Sequence, residues 1–421
     1  MLGYAAVTAA VLGSAMTSSC TDDEGCELNG ICDVPKCETA WGGETCSTLQ
    51  LLPAKHGAGY RNFTRTTTKL QTSSWGGGAI FDEETALWNM YAAEIMEGCG
   101  MNDWWPNSRV IRLTSATPDG AYTRHSVVIP AFSHNPQVVR TPDGGVAIYA
   151  IGNGTLPADE LCRNCYNGSS GVGGSCNATQ QPLLNQSVNV WTAKTVAGPF
   201  RLAGTLGLEP FFDNVAPYIF PNGSALIMWR GTLSETIGCE AVGTAASWVD
   251  GPFDPHADVP TFPPNTDFPV PAEPCLSDPV YKKPCSQANI EDPHLWRSTS
   301  TGHFHALLHN GCDHDCPWVG RHAFSRDGRR WTLSHNIAYT TRIEFADGSV
   351  EVHKRRERPH VILSHATGEP VALVTALFER EIPTNNATGR HGNDASYTFI
   401  QPIKQAKEGP GTRTRTKDDG Y

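Results

Sequence analysis

The sequence predicts an all-β protein, a five-bladed β-propeller preceded by a small disulfide-rich module. Glycine and proline, at 41 and 30 of 421 residues, favour short strands joined by tight turns. From about residue 70 a strand-turn-strand phrase recurs along the chain, and five cysteines crowd into the 27 residues 20–46 ahead of it. Repeated strand pairs and a cysteine cluster together predict the two parts of the molecule.

The chain begins with an apolar run, residues 2–16, that stops at the polar Thr17-Ser18-Ser19 and predicts a signal peptide over residues 1–19. Fourteen cysteines and seven Asn-x-Ser/Thr sequons suit an oxidising, glycosylating route, so we expect a secreted protein. A net charge of −11 disfavours nucleic acid as a partner, and no later apolar run is long enough for stable membrane insertion. Residues 404–421 are expected to be a disordered tail. The sequence indicates no oligomeric state.

The segment 20–47 is too small for a hydrophobic core, so disulfides must hold it together. A zinc site is the alternative, but the segment lacks paired Cys-x-x-Cys knuckles and contains no histidine. Disulfides are also the stronger interpretation of the later Cys-Asp-His-Asp-Cys run at 312–316, since oxidation competes with thiolate ligation in a secreted chain. The predicted disulfide cysteines are Cys20, Cys32, Cys37, Cys46, Cys312 and Cys316.

The turns at Asn29-Gly30 and Trp41-Gly42-Gly43 resemble those of an EGF-like module. The last cysteine pair of that module encloses eight residues, as Cys37 and Cys46 do, and the resemblance implies that these two are joined. Pro35 stands where the fourth of six cysteines would be expected. Cys26 is therefore left either free or paired with the main domain.

Five segments share one pattern, an apolar strand, a Gly- or Asp-bearing turn and a second apolar strand: 74–94, 135–150, 216–229, 292–308 and 358–375. Outer hairpins are predicted at 113–123, 191–200, 245–253 and 323–331. In the last four segments the opening prolines are 81, 76 and 66 residues apart, spacings that suit a four-stranded blade with loops. Two unrelated β-sandwiches would not predict the shared phrase, so we assign residues 70–403 to the propeller.

The blade opening Ile290–Trp296 and the turn Ser325–Trp331 resemble those of the five-bladed glycoside hydrolases, which include arabinanases, β-xylosidases, invertases and levansucrases. The likeness covers about residues 70–403. It implies a polysaccharide or glycan substrate cleaved by carboxylate acid/base catalysis. No phosphate-binding loop, Gly-x-Ser-x-Gly elbow or His-Glu-x-x-His helix occurs, so we predict no cofactor and no metal.

The resembling enzymes carry an Asp base on the first blade, an orienting Asp on the third and a Glu acid on the fourth. This division is needed because one carboxyl must stay protonated while another stays ionised. Glu291, two residues before Pro293, matches the acid. In the third blade Ala216 stands where the family has its Asp, and Asp213 lies three residues earlier as a candidate.

The first blade opens with 74–78, which contains no carboxylate. Glu94 ends the second strand of that blade, and an antiparallel partner returns to the edge where the first strand began. We therefore take Glu94 as a candidate to complete the catalytic pair, beside the commoner alternative of a solvent-facing glutamate. The hydrolase hypothesis requires that Glu291 face the propeller axis with a second acid near it.

Further polar residues fall at equivalent strand ends, and Trp75 could stack on a sugar ring or pack between blades. Singly each polar residue is more often solvated surface, but together they are candidates for binding sugar hydroxyls. The predicted substrate-binding residues are Trp75, His134, Asn135, Asn214, Arg230, Asp292, His309 and Arg358, with Glu357 beside the last. A non-catalytic glycan-binding protein on the same scaffold is the main alternative; a sialidase-like enzyme would need Arg109, Arg230 and Arg358 to converge.

Overall fold

The computed structural model describes most of the chain between residues 23 and 405. The described residues are 23–31, 36–62, 72–96, 101, 104–155, 187–206, 212–231, 239–251, 254–255, 289–311, 319–353, 355–380 and 395–405. The predicted signal peptide, most of the predicted tail, and four of the predicted disulfide cysteines (Cys20, Cys32, Cys312 and Cys316) lie outside them. No helix in these ranges is long and apolar enough to cross a membrane.

Five four-stranded antiparallel sheets form the body of the molecule, which confirms the predicted five-bladed propeller. The blades, innermost strand first, are β6 to β9 (Ser74–Asp82, Leu87–Ile95, Ser108–Ser115, Thr123–Ile129), β10 to β13 (His134–Arg140, Val146–Ile151, Val188–Ala193, Arg201–Thr205), β14 to β17 (Phe212–Ile219, Ala225–Gly231, Cys239–Ala245, Asp254–Pro255), β18 to β21 (Asn289–Arg297, Phe304–Gly311, Val319–Ser325, Thr332–Tyr339), and β24 to β26 (Arg356–Leu363, Pro370–Arg380, Ala395–Pro402) with β5 (Gly59–Tyr60) outermost. A short helical turn, α1 (Trp104–Asn107), precedes β8, and a hairpin of β22 (Arg342–Glu344) and β23 (Val350–Val352) joins blades four and five.

The ring is closed by a strand that precedes blade one in the chain, because β5 supplies the outer strand of blade five. Gly59 pairs with Phe399 and Tyr60 with Thr398. Gly59 has a φ of +90°, and a Cβ there would lie 2.2 Å from the carbonyl oxygen of Thr398, so only glycine fits. The predicted propeller start at residue 70 left this strand out, since two residues are too few to show a strand pattern.

The N-terminal module consists of two short strand pairs, β1 (Gly30–Ile31) with β2 (Lys36–Cys37) and β3 (Trp41–Gly42) with β4 (Thr48–Leu49). Cys37 and Cys46 form a disulfide, which confirms that pairing. Cys26, which the spacing left either free or bridged, is disulfide-bonded. The module packs on blade four: Trp41 stacks 6.5 Å from Trp296 in centroid distance. Its EGF-like identity stays a prediction.

Candidate active site

The innermost strands of all five blades carry a β-bulge at the same place, near the start of the strand. Each bulge contains one residue in the left-handed conformation, with φ between +49° and +56°. We call these residues the axial ring: Gly76, Asn135, Asn214, Asp292 and Arg358. Bulges re-aim side chains, and strained non-glycine residues persist where surrounding structure holds them, often at functional sites. The repeated bulge therefore marks this end of the axis as the candidate site.

In four of the blades the residue before the left-handed one lines a cavity: Trp75, His134, Glu291 and Glu357. The cavity has a volume of about 190 Å³ and is lined by Trp75, Met101, Trp104, His134, Asn135, Ile151, Asn214, Arg230, Glu291, Asp292, Arg355, Glu357 and Phe378. Pockets for drug-sized ligands have roughly 300–1,000 Å³, so this one suits a ligand about the size of a single ring. Of the predicted substrate-binding residues, all but His309 and Arg358 line it.

In blade three the left-handed residue lies three residues before the proline, whereas in blades two, four and five it directly precedes the proline. The left-handed residue of blade three is Asn214, so Asp213 holds the backbone position that Glu291 holds in blade four. The backbone of Asp213 pairs with Arg230, as that of Glu291 pairs with His309. The side chain of Asp213 lies outside the described part of the chain, and its catalytic role stays a prediction.

Two glutamates of the cavity wall contact arginines. Oε1 of Glu291 lies 2.9 Å from Nη2 of Arg230, and these side chains are 17% and 22% exposed. Glu357, on the next blade, accepts a hydrogen bond from Nε of Arg355 and is nearly buried. A neighbouring guanidinium favours the ionised form of a carboxyl group. The site therefore presents two paired carboxylates, one of them more accessible.

Asp292 lies beneath this pair at the centre of a buried network. It accepts a hydrogen bond from Nη1 of Arg358 at 2.9 Å, and its Oδ2 is 3.2 Å from Nδ1 of His309. Burial opposes the charge of Asp292, but Arg358 and His309 outweigh it and hold its pKa well below the usual range. Burial also disfavours a charged His309, yet the neighbouring Asp292, Glu357 and Glu291 raise the pKa of its imidazole.

The cavity also has an aromatic lining. Trp75 packs edge-on against Phe378 at 5.2 Å, and Trp104 stacks on His134 at 4.4 Å. Nδ1 of His134 lies 2.8 Å from Oγ of Ser108, and burial, together with the charge of Arg358, lowers the pKa of His134 to about 3. A cavity lined by both aromatic rings and paired carboxylates is suited to a sugar, which has an apolar face and a polar rim.

Among the described residues, Asp292, His309 and Glu357 are the group that could hold a metal ion, with ligand atoms within 4.8 Å of one another. Asp292 already bonds the guanidinium of Arg358, so a metal ion there would meet a fixed positive charge.

Glu94 does not line the cavity. Its carboxylate is 1% exposed and is bonded by Nε of Arg109 at 2.8 Å, Nε of Arg124 at 2.9 Å and the Tyr60 hydroxyl at 3.1 Å. A carboxylate held by two arginines within the sheet of blade one is a structural ion-pair cluster. The same contacts engage Arg109, so it is not available to a sialidase-like arginine triad.

Replacing Glu94 by glutamine should destabilise the fold by about 3 kcal/mol, because two arginines lose a buried partner. Turnover per folded molecule should stay near the wild-type value. Urea unfolding and activity assays measure both, with the exposed Glu344→Gln as the control that changes stability by less than about 1 kcal/mol. Loss of turnover without loss of stability would place Glu94 in the chemistry after all.

Sequence reasoning named Glu357 only as a polar neighbour and missed five other lining residues: Arg355, Met101, Trp104, Ile151 and Phe378. A signal for Glu357 was present, since Glu357-Arg358-Pro359 repeats the spacing of Glu291-Asp292-Pro293. The other five gave none, because they reach the cavity from the ends of β11 and β25, from the position before β24 and from the connection between β7 and β8.

Comparisons with known proteins give no family. No protein-family model matches the chain, and no curated protein matches it. Among solved structures, it is similar to a family 117 glycoside hydrolase from Zobellia galactanivorans, with 11% identity, TM-score 0.47, and 85% of this chain and 90% of that chain covered. The catalytic domain of a family 62 α-L-arabinofuranosidase from Coprinopsis cinerea gives 9% identity and TM-score 0.48, with 85% and 96% covered. An endo-arabinase from Bacteroides thetaiotaomicron gives 11% identity and TM-score 0.46, with 80% of this chain and 96% of that chain covered. At this level the likeness says nothing about what this chain binds or does.

Proposed function

We propose that the protein is a secreted glycoside hydrolase that cleaves a glycosidic bond with Glu291 and Glu357. The observation that supports this most is the placement of two carboxylates from adjacent blades on one ring-sized cavity that also has an aromatic lining. Glycoside hydrolysis needs such a pair across the scissile bond. The resemblance of the blade openings points the same way.

The two carboxylates have different surroundings, and we assign them different roles. Glu357 is held between Arg355 and the imidazole of His309, whose Nε2 is 3.9 Å from Oε2, and we assign it the role of the carboxylate that faces the anomeric carbon. Glu291 is paired with the partly exposed Arg230, which a substrate hydroxyl or ring can displace. Without that cation Glu291 can take up a proton and act as the general acid.

The reaction balances with these two groups and water. Glu291 gives its proton to the glycosidic oxygen as the bond from that oxygen to the anomeric carbon breaks. Glu357 stabilises the positive charge that develops on the sugar, either through space or by bonding to the anomeric carbon. Water then supplies hydroxide to that carbon, and its proton restores Glu291.

A glycan-binding protein without catalysis is the second candidate. It is favoured by the first blade, where Trp75 occupies the position that Glu291 holds in blade four and Glu357 holds in blade five. In that case both Arg–Glu pairs stay intact, and the carboxylates only accept hydrogen bonds from sugar hydroxyls.

The test is incubation of the full chain with a panel of 4-nitrophenyl glycosides and plant, algal and fungal polysaccharides, with products followed by release of nitrophenol and by NMR. Release of a sugar by the wild type but not by the Glu291→Gln, Glu357→Gln double variant supports the hydrolase. Binding of a polysaccharide with no product after prolonged incubation supports the second candidate and rejects the first.

A further inference from the structure

The side chain of Arg358 crosses the propeller axis. It is 2% exposed and comes from blade five, yet Nη1 donates to Oδ1 of Asp292 in blade four at 2.9 Å and Nη2 to the carbonyl of Asn135 in blade two at 2.7 Å. Blade one makes room for it, because a Cβ on Gly76 would lie 2.1 Å from Cγ of Arg358. A single side chain thus contacts three other blades.

The guanidinium of Arg358 contacts residues that line the cavity, but it does not line the cavity itself. Asn135 and Asp292 line the cavity, whereas Arg358 does not. Nδ2 of Asn135 donates to Asn214 at 2.5 Å and is 3.3 Å from Asp292, so the cavity floor is one connected polar network. Removing the cation would leave Asp292 buried with its charge less compensated, and the floor would rearrange.

The backbone conformation at residue 358 is unfavourable for arginine, so we infer that the arginine side chain has a role there. Arg358 has a φ of +54°, and a left-handed conformation costs a non-glycine residue about 1–2 kcal/mol. Lysine could supply the charge, but only the planar fork of arginine donates to Asp292 and Asn135 at fixed angles.

We propose that Arg358 is a positioning residue whose guanidinium, admitted by Gly76, serves as a resident cation on the propeller axis and fixes Asn135 and Asp292 for ligand binding. The effect of Arg358 on turnover rests on the proposed function. The effect of Arg358 on Asn135 and Asp292 does not rest on it.

The first test is a double-mutant cycle of Gly76→Ala and Arg358→Ala, measured by urea unfolding. The control is Gly144→Ala, which has the same kind of positive φ but no atom within 4 Å of the new Cβ. Gly76→Ala should raise the unfolding equilibrium constant about tenfold more than the control does, and most of this excess should disappear when Arg358 is alanine, which removes the Cγ at 2.1 Å. Equal effects of the two glycine variants, or strict additivity, would overturn the proposal.

The second test is chemical rescue with millimolar guanidinium chloride, far below denaturing concentrations. Arg358→Ala should lower kcat/KM about 100-fold, because small displacements of binding groups have effects of that size. Added guanidinium should restore at least part of the lost kcat/KM of Arg358→Ala. It should not raise the kcat/KM of the wild type or of Arg358→Lys. Gly76→Ala keeps every charge and should show the same loss, which covers the case in which Arg358→Ala does not fold.

A purely structural role would change stability but give no guanidinium-dependent turnover, and that result would overturn the proposal. If the wild type hydrolyses no glycoside, the hydrolase assignment fails by itself. The inference is then decided by polysaccharide binding: guanidinium should strengthen the binding by Arg358→Ala and leave that of the wild type and Gly144→Ala unchanged. No such difference would reject it.

Discussion

Replacement of Glu291 by glutamine is expected to lower kcat by about 1,000-fold on a natural glycan, within the range that general acids contribute. The amide keeps the size of the side chain but has no proton to give to the leaving oxygen. Glu357→Gln should lower kcat at least as much, because the sugar loses the negative charge that stabilises its developing cation. Neither substitution should shift the melting temperature by more than a few degrees.

The two variants should differ on activated substrates. A 4-nitrophenoxide leaving group needs little protonation, so Glu291→Gln should recover most of its activity on 4-nitrophenyl glycosides, whereas Glu357→Gln should not. Steady-state kinetics on paired substrates measure this, with the exposed Glu344→Gln as the matched control. The assigned roles are wrong if Glu357→Gln is the variant that activated substrates restore.

The second large effect is expected on acidification, through buried histidines. Burial, with the charge of Arg358, lowers the pKa of His360 to about 3, as it does for His134. Burial likewise lowers the pKa values of His294 and His305, which face His360 and His322 respectively. In the unfolded chain each of these groups takes up its proton near pH 6.5.

These pKa differences determine how the stability of the fold changes with pH. The stabilising contribution of His134 and His360 is complete above about pH 6.5 and declines as the pH falls towards about 3, by about 1.4 kcal/mol per pH unit for each of the two. The lowered pKa values of His294 and His305 act in the same direction. His309, with a raised pKa, and Asp292, with a lowered one, contribute little slope between about pH 4 and 6.5. With four histidines acting together, we expect the fold to be lost at about pH 4 to 5.

Urea unfolding at pH 7, 6 and 5 measures the slope. His360→Gln should reduce it by about 1.4 kcal/mol per pH unit, since one proton fewer is bound on unfolding. A midpoint that stays constant over this range would show that the histidines titrate in the folded state.

The blade architecture could be predicted from the sequence because its causes are local. Alternating apolar residues, Gly and Asp turns and the repeated opening phrase define each strand pair without reference to any other blade, and all five pairs are present. The Cys37–Cys46 disulfide followed from the resemblance of its loop. Glu291, which the resemblance singled out, lines the cavity, and its catalytic role stays a prediction.

The bulge, in contrast, could not be predicted. Asn135, Asp292 and Arg358 precede prolines, which normally force an extended conformation on the residue before them, yet all three are left-handed. Counting from the proline therefore gave the wrong phase in blade three. Arg358 was assigned to the ligand, although its guanidinium lies below the cavity floor.

The sequence by itself determined that five similar strand pairs exist and where each begins. Only the tertiary structure decided which side chains meet, because residues such as Asn135 and Arg358, 223 positions apart, are brought together by closure of the ring. It also decided that Glu94 is paired with arginines while Glu357 reaches the cavity. Strand patterns depend on neighbours in the chain, whereas the charge partners of a buried carboxylate depend on the packing of other blades.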